Sequence, residues 1–172
     1  MLRLTLVRHA NADWKDASYE DFDRPLNKRG LAEAESIGKI LAENDLIPEL
    51  MLASTAKRTQ QTAEIAARQL GLAARRVKAM EQLYLAREEA ILALVHATGP
   101  KVHHLAIIGH NPGISELARR LAPADARVGE LSTAAACTLT FDTKSWESVN
   151  GPAASAAEYR PAPPLFNLFG GG

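Results

Sequence analysis

Short apolar runs alternate along the chain with longer stretches in which apolar residues recur every three or four positions. In the first run, Leu2, Leu4 and Leu6 alternate with Arg3, Thr5 and Val7, and a period of two predicts a β-strand. Arg8 and His9 follow at its C-terminal end. Residues 11–25 are polar, acidic and aromatic without periodicity, which predicts an ordered loop over that strand end. Asn27 then reads as a helix cap. Leu31, Ala34, Ile37, Ile40 and Leu41 recur at helical spacing behind it, through about Asn44. Leu50 to Ala53 predict a second, buried strand. Ser54-Thr55 reads as the cap of a helix over 56–69. Residues 75–80 predict a weak edge strand, and 87–97 a third helix with Ile91, Leu92 and Val95 facing inward. Gly99-Pro100 ends that helix. Leu105 to Gly109 form the clearest buried strand, and Pro112 suits the first turn of a helix over 114–121. Residues 134–141 predict a last strand.

Strands that alternate with helices predict an α/β fold: a three-layer α/β/α sandwich around a mostly parallel central sheet. From about residue 150 the chain is rich in Ala, Pro and Gly, a composition that predicts a loose tail. The expected division is a domain over 1–149 and a tail over 150–172. Leu165, Phe166, Leu168 and Phe169 of that tail are expected to dock on a groove of this subunit or a neighbour.

Composition narrows the classes. The 172 residues suffice for one domain with a real core, and 47% hydrophobic against 23% charged residues is ordinary for a globular protein. Twenty Lys and Arg balance twenty Asp and Glu, which argues against a nucleic-acid partner recruited by net charge. The single cysteine, Cys137, excludes an internal disulfide and lies in an apolar run, so it reads as a buried, inert thiol. No stretch is apolar over about 18 residues, and the N-terminus enters a strand without a signal-peptide pattern, so no membrane partner is expected. A reducing cytoplasm is the expected compartment.

The candidate chemistry sits at three strand ends. Arg8 and His9 follow the first strand, Arg58 opens the helix after the second, and His110 follows the buried strand ending at Gly109. Any one of them reads equally well as an ordinary strand-end or helix-surface residue. In a parallel sheet, however, the three ends share the edge at which ligands bind. Lys57 and Arg58 are unfavourable in the first turn of a helix unless an anion sits there. Two arginines and two histidines suit a dianionic phosphoryl group, with His9 as the nucleophile and Arg8, Arg58 and His110 holding the oxygens. Nearby positive charge keeps His9 neutral, and the expected route is double displacement through a phosphohistidine. Asn11 and Asn111 are candidate substrate contacts. His96, His103 and His104 raise a metal alternative. His103 and His104 precede their strand, at the end opposite His110, so no metal and no cofactor are expected.

Leu6-Val7-Arg8-His9-Ala10 resembles the R-H-G/A signature of the histidine phosphatase superfamily, whose fold is phosphoglycerate mutase-like. Asp23 to Gly30 resembles its R-P-L-T-x-x-G segment, and Ser54 to Ala63 its S-x-x-x-R-x-x-Q-T-A segment. Gly109-His110-Asn111-Pro112 resembles G-H-N-P, and Ser132-Thr133-Ala134-Ala135 resembles P-T-A-A with serine in place of proline. The matches keep the family's order over about residues 2–141. The resemblance implies that His9 is phosphorylated and that Arg8, Arg58 and His110 bind the phosphoryl group. The small size and the Ala after His9 point to the SixA-like phosphohistidine phosphatases.

Larger members of that family carry a Glu or Asp after the third strand that protonates the leaving group. Glu81 is the nearby carboxylate here, in poor register, and reads either as that acid or as a solvated loop residue. Without an acid, imidazole is a far better leaving group than an alcohol. The favoured substrate is therefore phosphohistidine in a phosphorylated protein. A small phosphorylated molecule, hydrolysed with Glu81 or a loop carboxylate as acid, and a non-catalytic phosphate-binding module are the alternatives.

Overall fold

The computed structural model describes residues 1–162, so the expected docking of Leu165, Phe166, Leu168 and Phe169 lies outside the described residues. The strands are β1 (Leu2–Arg8), β2 (Leu50–Ser54), β3 (Val77–Met80), β4 (His104–Gly109), β5 (Ala136–Phe141) and β6 (Ala156–Arg160). They form one sheet in the order β3-β2-β4-β1-β5-β6. The strands β1 to β4 run parallel to their neighbours, whereas β5 is antiparallel to β1 and β6 to β5. The helices are α1 (Lys28–Glu43), α2 (Lys57–Gln69), α3 (Glu88–His96) and α4 (Gly113–Leu121).

The period of two along β1 divides its side chains between two apolar faces. Leu2, Leu4 and Leu6 pack with Leu105, Ile107 and Leu139 against Ile91, Leu92 and Val95 of α3 and Ile114 and Leu117 of α4. Val7 packs on the other face, with Met51 and Ile108, against Ala34, Ile37 and Leu41 of α1 and Ala63 and Ile65 of α2. This is the expected three-layer sandwich, with the sheet buried on both sides at its centre. Thr5, buried on the α1/α2 side, meets His104 Nε2 at 2.9 Å and Thr138 Oγ1 at 3.0 Å, which satisfies its hydroxyl. Cys137 is buried, and burial pushes its thiol up to about 11, which leaves it unreactive.

Three local expectations change. Ser54 and Thr55 do not cap α2. Ser54 ends β2 and Ala56 is the N-cap, without a side-chain cap hydrogen bond. Ser54 Oγ is instead engaged across the sheet by His110. Residues 74–76 form a 3-10 turn, which shortens the expected edge strand to β3. Residues 156–160, inside the stretch whose composition predicts a loose tail, form β6. An edge strand is held by backbone hydrogen bonds to β5, and its side chains need carry no buried pattern.

Asn27 caps α1 as expected, its side chain accepting from Gly30 N at 2.9 Å. A Cβ on Gly30 would overlap the Asn11 carbonyl oxygen, so the helix start and the segment after His9 pack backbone to backbone. Gly30→Ala is expected to destabilise the protein by about 1–3 kcal/mol, because backbone rather than a flexible side chain must move. Urea unfolding of the variant against the native chain measures it.

Candidate active site

The register of β1 on β4 creates the site. Arg8 pairs with Gly109, so the residues that follow, His9 and His110, leave the sheet side by side. His9 N donates to Gly109 O at 3.0 Å, and the two imidazole centroids are 5.2 Å apart. Strand β2 flanks β4 on its other side, so Ser54 and the start of α2 arrive at the same edge. Arg58, the second residue of α2, is 2% exposed and lies between the two rings. Its Nε is 3.3 Å from His9 Nε2, and its Nη2 is 3.3 Å from His110 Nδ1.

These partners fix both tautomers. A carbonyl oxygen can only accept, so His9 Nδ1 carries the proton it donates to Ala10 O at 2.8 Å. The lone pair of a neutral His9 is therefore on Nε2, facing Arg58. A guanidinium can only donate, so His110 Nδ1 accepts from Arg58, and His110 Nε2–H donates to Ser54 Oγ at 2.8 Å. Burial lowers His9 to about 4, with Arg58 and Arg8 lowering it further. Burial lowers His110 to about 3, helped by His9 and Arg58. Both rings are neutral near pH 7. Desolvation, rather than the neighbouring charge expected from the sequence, is the larger cause of the neutrality of His9.

Arg8 reaches the site from β1. Its Nη1 donates to Leu131 O at 3.1 Å, and its Nε–H is buried without a hydrogen-bond partner among the described residues. A buried, unmatched donor on a cation is costly, and an anionic acceptor would satisfy it. Thr62 links the parts: its Oγ1 accepts from Ala10 N at 3.1 Å and donates to Arg58 O at 2.7 Å. The segment at 131–134 braces the strand end. Ala134, held at φ 55°, donates its N–H to the carbonyls of Arg8 and His9. Glu33, a buried carboxylate, accepts from Asn11 N, Arg29 Nε and Thr133 Oγ1 and so joins α1 to both segments.

The structure thus brings Arg8, His9, Arg58 and His110 together and leaves three other candidates apart from their hydrogen bonds. The Asn11 side chain accepts from Asn27 Nδ2 at 2.6 Å, a structural tie. Asn111 bonds Glu130, Leu131 and Ser115. Glu81 is exposed at the start of a 3-10 turn, and no hydrogen bond among the described residues links its side chain to the histidines. Of the metal alternative, His96 bonds Val149 O, His104 bonds Thr5, and His103 lies 3.7 Å from Glu49.

Sequence reasoning missed two residues at the site. Asp21, from the aperiodic loop, takes Arg58 Nη1 on its carbonyl at 2.6 Å and Arg58 Nη2 on its carboxylate at 3.2 Å. Tyr84 donates its hydroxyl to the same Asp21 oxygen at 2.7 Å and packs edge-on against His110. Partial burial raises Asp21, but the Tyr84 hydrogen bond and Arg58 outweigh it and hold the carboxyl below its ordinary value. No sequence period marks either residue.

The depressed histidines fix a pH dependence. His9, His104 and His110 have folded values of about 4, about 4 and about 3, below the ordinary 6.5. Between those values the unfolded chain binds protons that the folded chain does not. Stability is therefore complete above about pH 6.5 and falls as the pH drops towards about 4. Imidazole nitrogen shifts at about pH 5.5 are expected to show neutral rings at His9 and His110, and urea midpoints to fall between about pH 7 and about pH 5.

Comparison with known proteins bears on the family and the fold. Residues 4–89 match the profile of the histidine phosphatase superfamily, branch 1. An uncharacterized chloroplastic protein of Arabidopsis thaliana is 32% identical over 161 residues, covering 87% of this chain and 72% of that protein. A protein from Agrobacterium tumefaciens assigned as the phosphohistidine phosphatase SixA superposes with a TM-score of 0.72 at 32% identity, over 80% of this chain and 91% of that one. One from Nakamurella multipartitia with the same assignment gives 0.74 at 25% identity, over 94% and 97%. With its motifs, its sheet and its two histidines in this arrangement, the chain belongs to the histidine phosphatase superfamily and is SixA-like within it.

Proposed function

We propose that the protein is a phosphatase that removes the phosphoryl group from phosphohistidine in a protein, by way of a phosphohistidine at His9. The observation that carries this reading is the hydrogen bond from His9 Nδ1 to Ala10 O, which leaves the Nε2 lone pair aimed at the Arg58 side of the site. The Nε2 lone pair attacks phosphorus and the substrate's P–N bond breaks. The electron pair of that bond stays on the departing imidazole. When the substrate ring carries a proton on its other nitrogen, it leaves as neutral imidazole and His9 becomes the protonated phosphohistidine. The transfer is symmetric, histidine to histidine, and no added acid is required. Water then attacks phosphorus, the Nε2–P bond breaks with its electrons returning to Nε2, and the water proton leaves with inorganic phosphate. Arg8, Arg58 and His110 surround the equatorial oxygens and offset their charge.

An alkoxide leaving group needs a proton that this site does not hold ready. Glu81 is exposed and outside the cluster, and Asp21 is kept ionised by Tyr84 and Arg58. That favours the phosphoramidate over the small phosphate ester. No helix among the described residues is long and apolar enough to cross a membrane, and the buried free cysteine suits a reducing cytoplasm.

The test compares initial rates on a phosphohistidine-containing protein and on a simple alkyl phosphate. The phosphoramidate is expected to turn over at least about 100-fold faster, the lower end of what a general acid contributes. His9→Ala is expected to abolish that turnover and the labelling of the protein by substrate phosphorus. Comparable rates on both substrates would overturn the substrate assignment. Undiminished turnover by His9→Ala would overturn the mechanism.

A further inference from the structure

Arg58 enters the site with four of its five N–H donors engaged among the described residues. Nε–H is directed at His9, Nη1 at the Asp21 carbonyl, and Nη2 at both the Asp21 carboxylate and His110. A phosphoryl group that takes this guanidinium as a two-pronged donor must therefore displace one of these partners. His9 and His110 are buried reacting or binding groups, whereas the Asp21 side chain is 41% exposed and is the partner that bears a charge. Asp21 lies in the 3-10 turn Asp21–Asp23 and is pinned there from outside the turn. Tyr84 donates to its carboxylate, Phe22 packs edge-on against the Tyr84 ring at 5.1 Å, and Tyr84 packs on His110 at 5.6 Å.

We propose that Asp21 is a positioning residue that sets the charge requirement of the site: it holds Arg58 in place of a phosphoryl group, and a ligand enters by exchanging its own dianion for this carboxylate. The inference rests on the proposed phosphoryl site and adds how that site selects its ligand. Exchanging one negative charge for two is favourable beside Arg58, Arg8 and a desolvated histidine pair, because interactions there are little screened. Exchanging one negative charge for another gains almost nothing. The site therefore admits terminal phosphoryl groups and rejects singly charged phosphodiesters. Tyr84 acts through Asp21 by holding the carboxylate on Arg58.

Calorimetric titration with inorganic phosphate at about pH 8, where it is a dianion, tests this on the full chain. Asp21→Asn keeps the size and the hydrogen bonding and removes the charge. It is expected to bind phosphate at least about fivefold more tightly than the native chain, the scale of one partly exposed ion pair. It is also expected to bind dimethyl phosphate, a monoanion, whereas no binding of it by the native chain is expected. Tyr84→Phe keeps the charge and loses the tether, and a smaller tightening is expected. Asp23→Asn, at an exposed carboxylate of the same turn, removes the same net charge and is expected to leave phosphate affinity within about twofold. In turnover, Asp21→Asn is expected to lower KM without raising kcat, a split that general loosening of the loop would not produce. Phosphate affinity that is unchanged or weaker in Asp21→Asn overturns the inference, as does equal tightening by Asp23→Asn. If phosphohistidine turnover is intact in that case, the proposed function stands. Absence of phosphate binding by every form overturns the inference, and with no phosphohistidine turnover by the native chain it overturns the proposed function as well.

Discussion

The parallel pairing of β1 with β4 is the constraint on which everything else in this molecule rests. The backbone register that sets Arg8 opposite Gly109 brings His9 and His110 out of the sheet together. A slip of one residue would turn every side chain of β1 to the opposite face. Leu2, Leu4 and Leu6 would then leave the α3/α4 core, and Val7 would leave the α1/α2 core. The apolar packing on both faces therefore fixes the register, and the register fixes the distance between the two imidazoles. Core and chemistry are coupled through one strand pair.

Charge at the site is managed by burial and by hydrogen bonds together. A buried cation without an anion is costly, and Arg58 is nearly inaccessible. Its charge is met by Asp21 at one side and by two imidazole lone pairs at the other. The rings can accept from it because they are neutral, and they are neutral chiefly because they are desolvated. A carbonyl on one ring and a serine hydroxyl on the other complete the set, so each nitrogen has one defined role. Such preorganisation removes the need to reorient donors while phosphorus changes partners. Around this centre, Glu33 supplies a second buried charge that is satisfied three times over, and it binds α1 to the segments on either side of the catalytic strand end.

The agreement between sequence and structure is uneven for physical reasons. The apolar periods of α1 and α3 are strong because each helix buries a defined face, the continuous apolar run of β4 is strong because that strand is buried on both faces, and their positions are legible from these patterns alone. The edge strand β6 is not legible, since it is fastened by main-chain hydrogen bonds that any sequence without a misplaced proline can make. Ser54 looks like a helix cap in one dimension, yet its hydroxyl serves a histidine two strand ends away in the chain. Asn11 and Asn111 look like ligand contacts because they neighbour the histidines, and tertiary structure adds that Asn11 Oδ1 and the Asn111 side chain also brace their loops.

By itself the amino-acid sequence determined the order of strands and helices through β5, the layered α/β class, and the placing of Arg8, His9, Arg58 and His110 at or just beyond strand ends. These are local properties: hydrophobic period, turn chemistry and residue type at the end of a strand. Tertiary structure alone decided which nitrogen of His9 carries the proton, that burial rather than charge keeps it neutral, and that Asp21 and Tyr84 belong to the site. Those facts depend on groups far apart in the chain, such as Asp21 with Arg58 and Tyr84, coming within hydrogen-bond distance. No pattern along a chain encodes a distance across it.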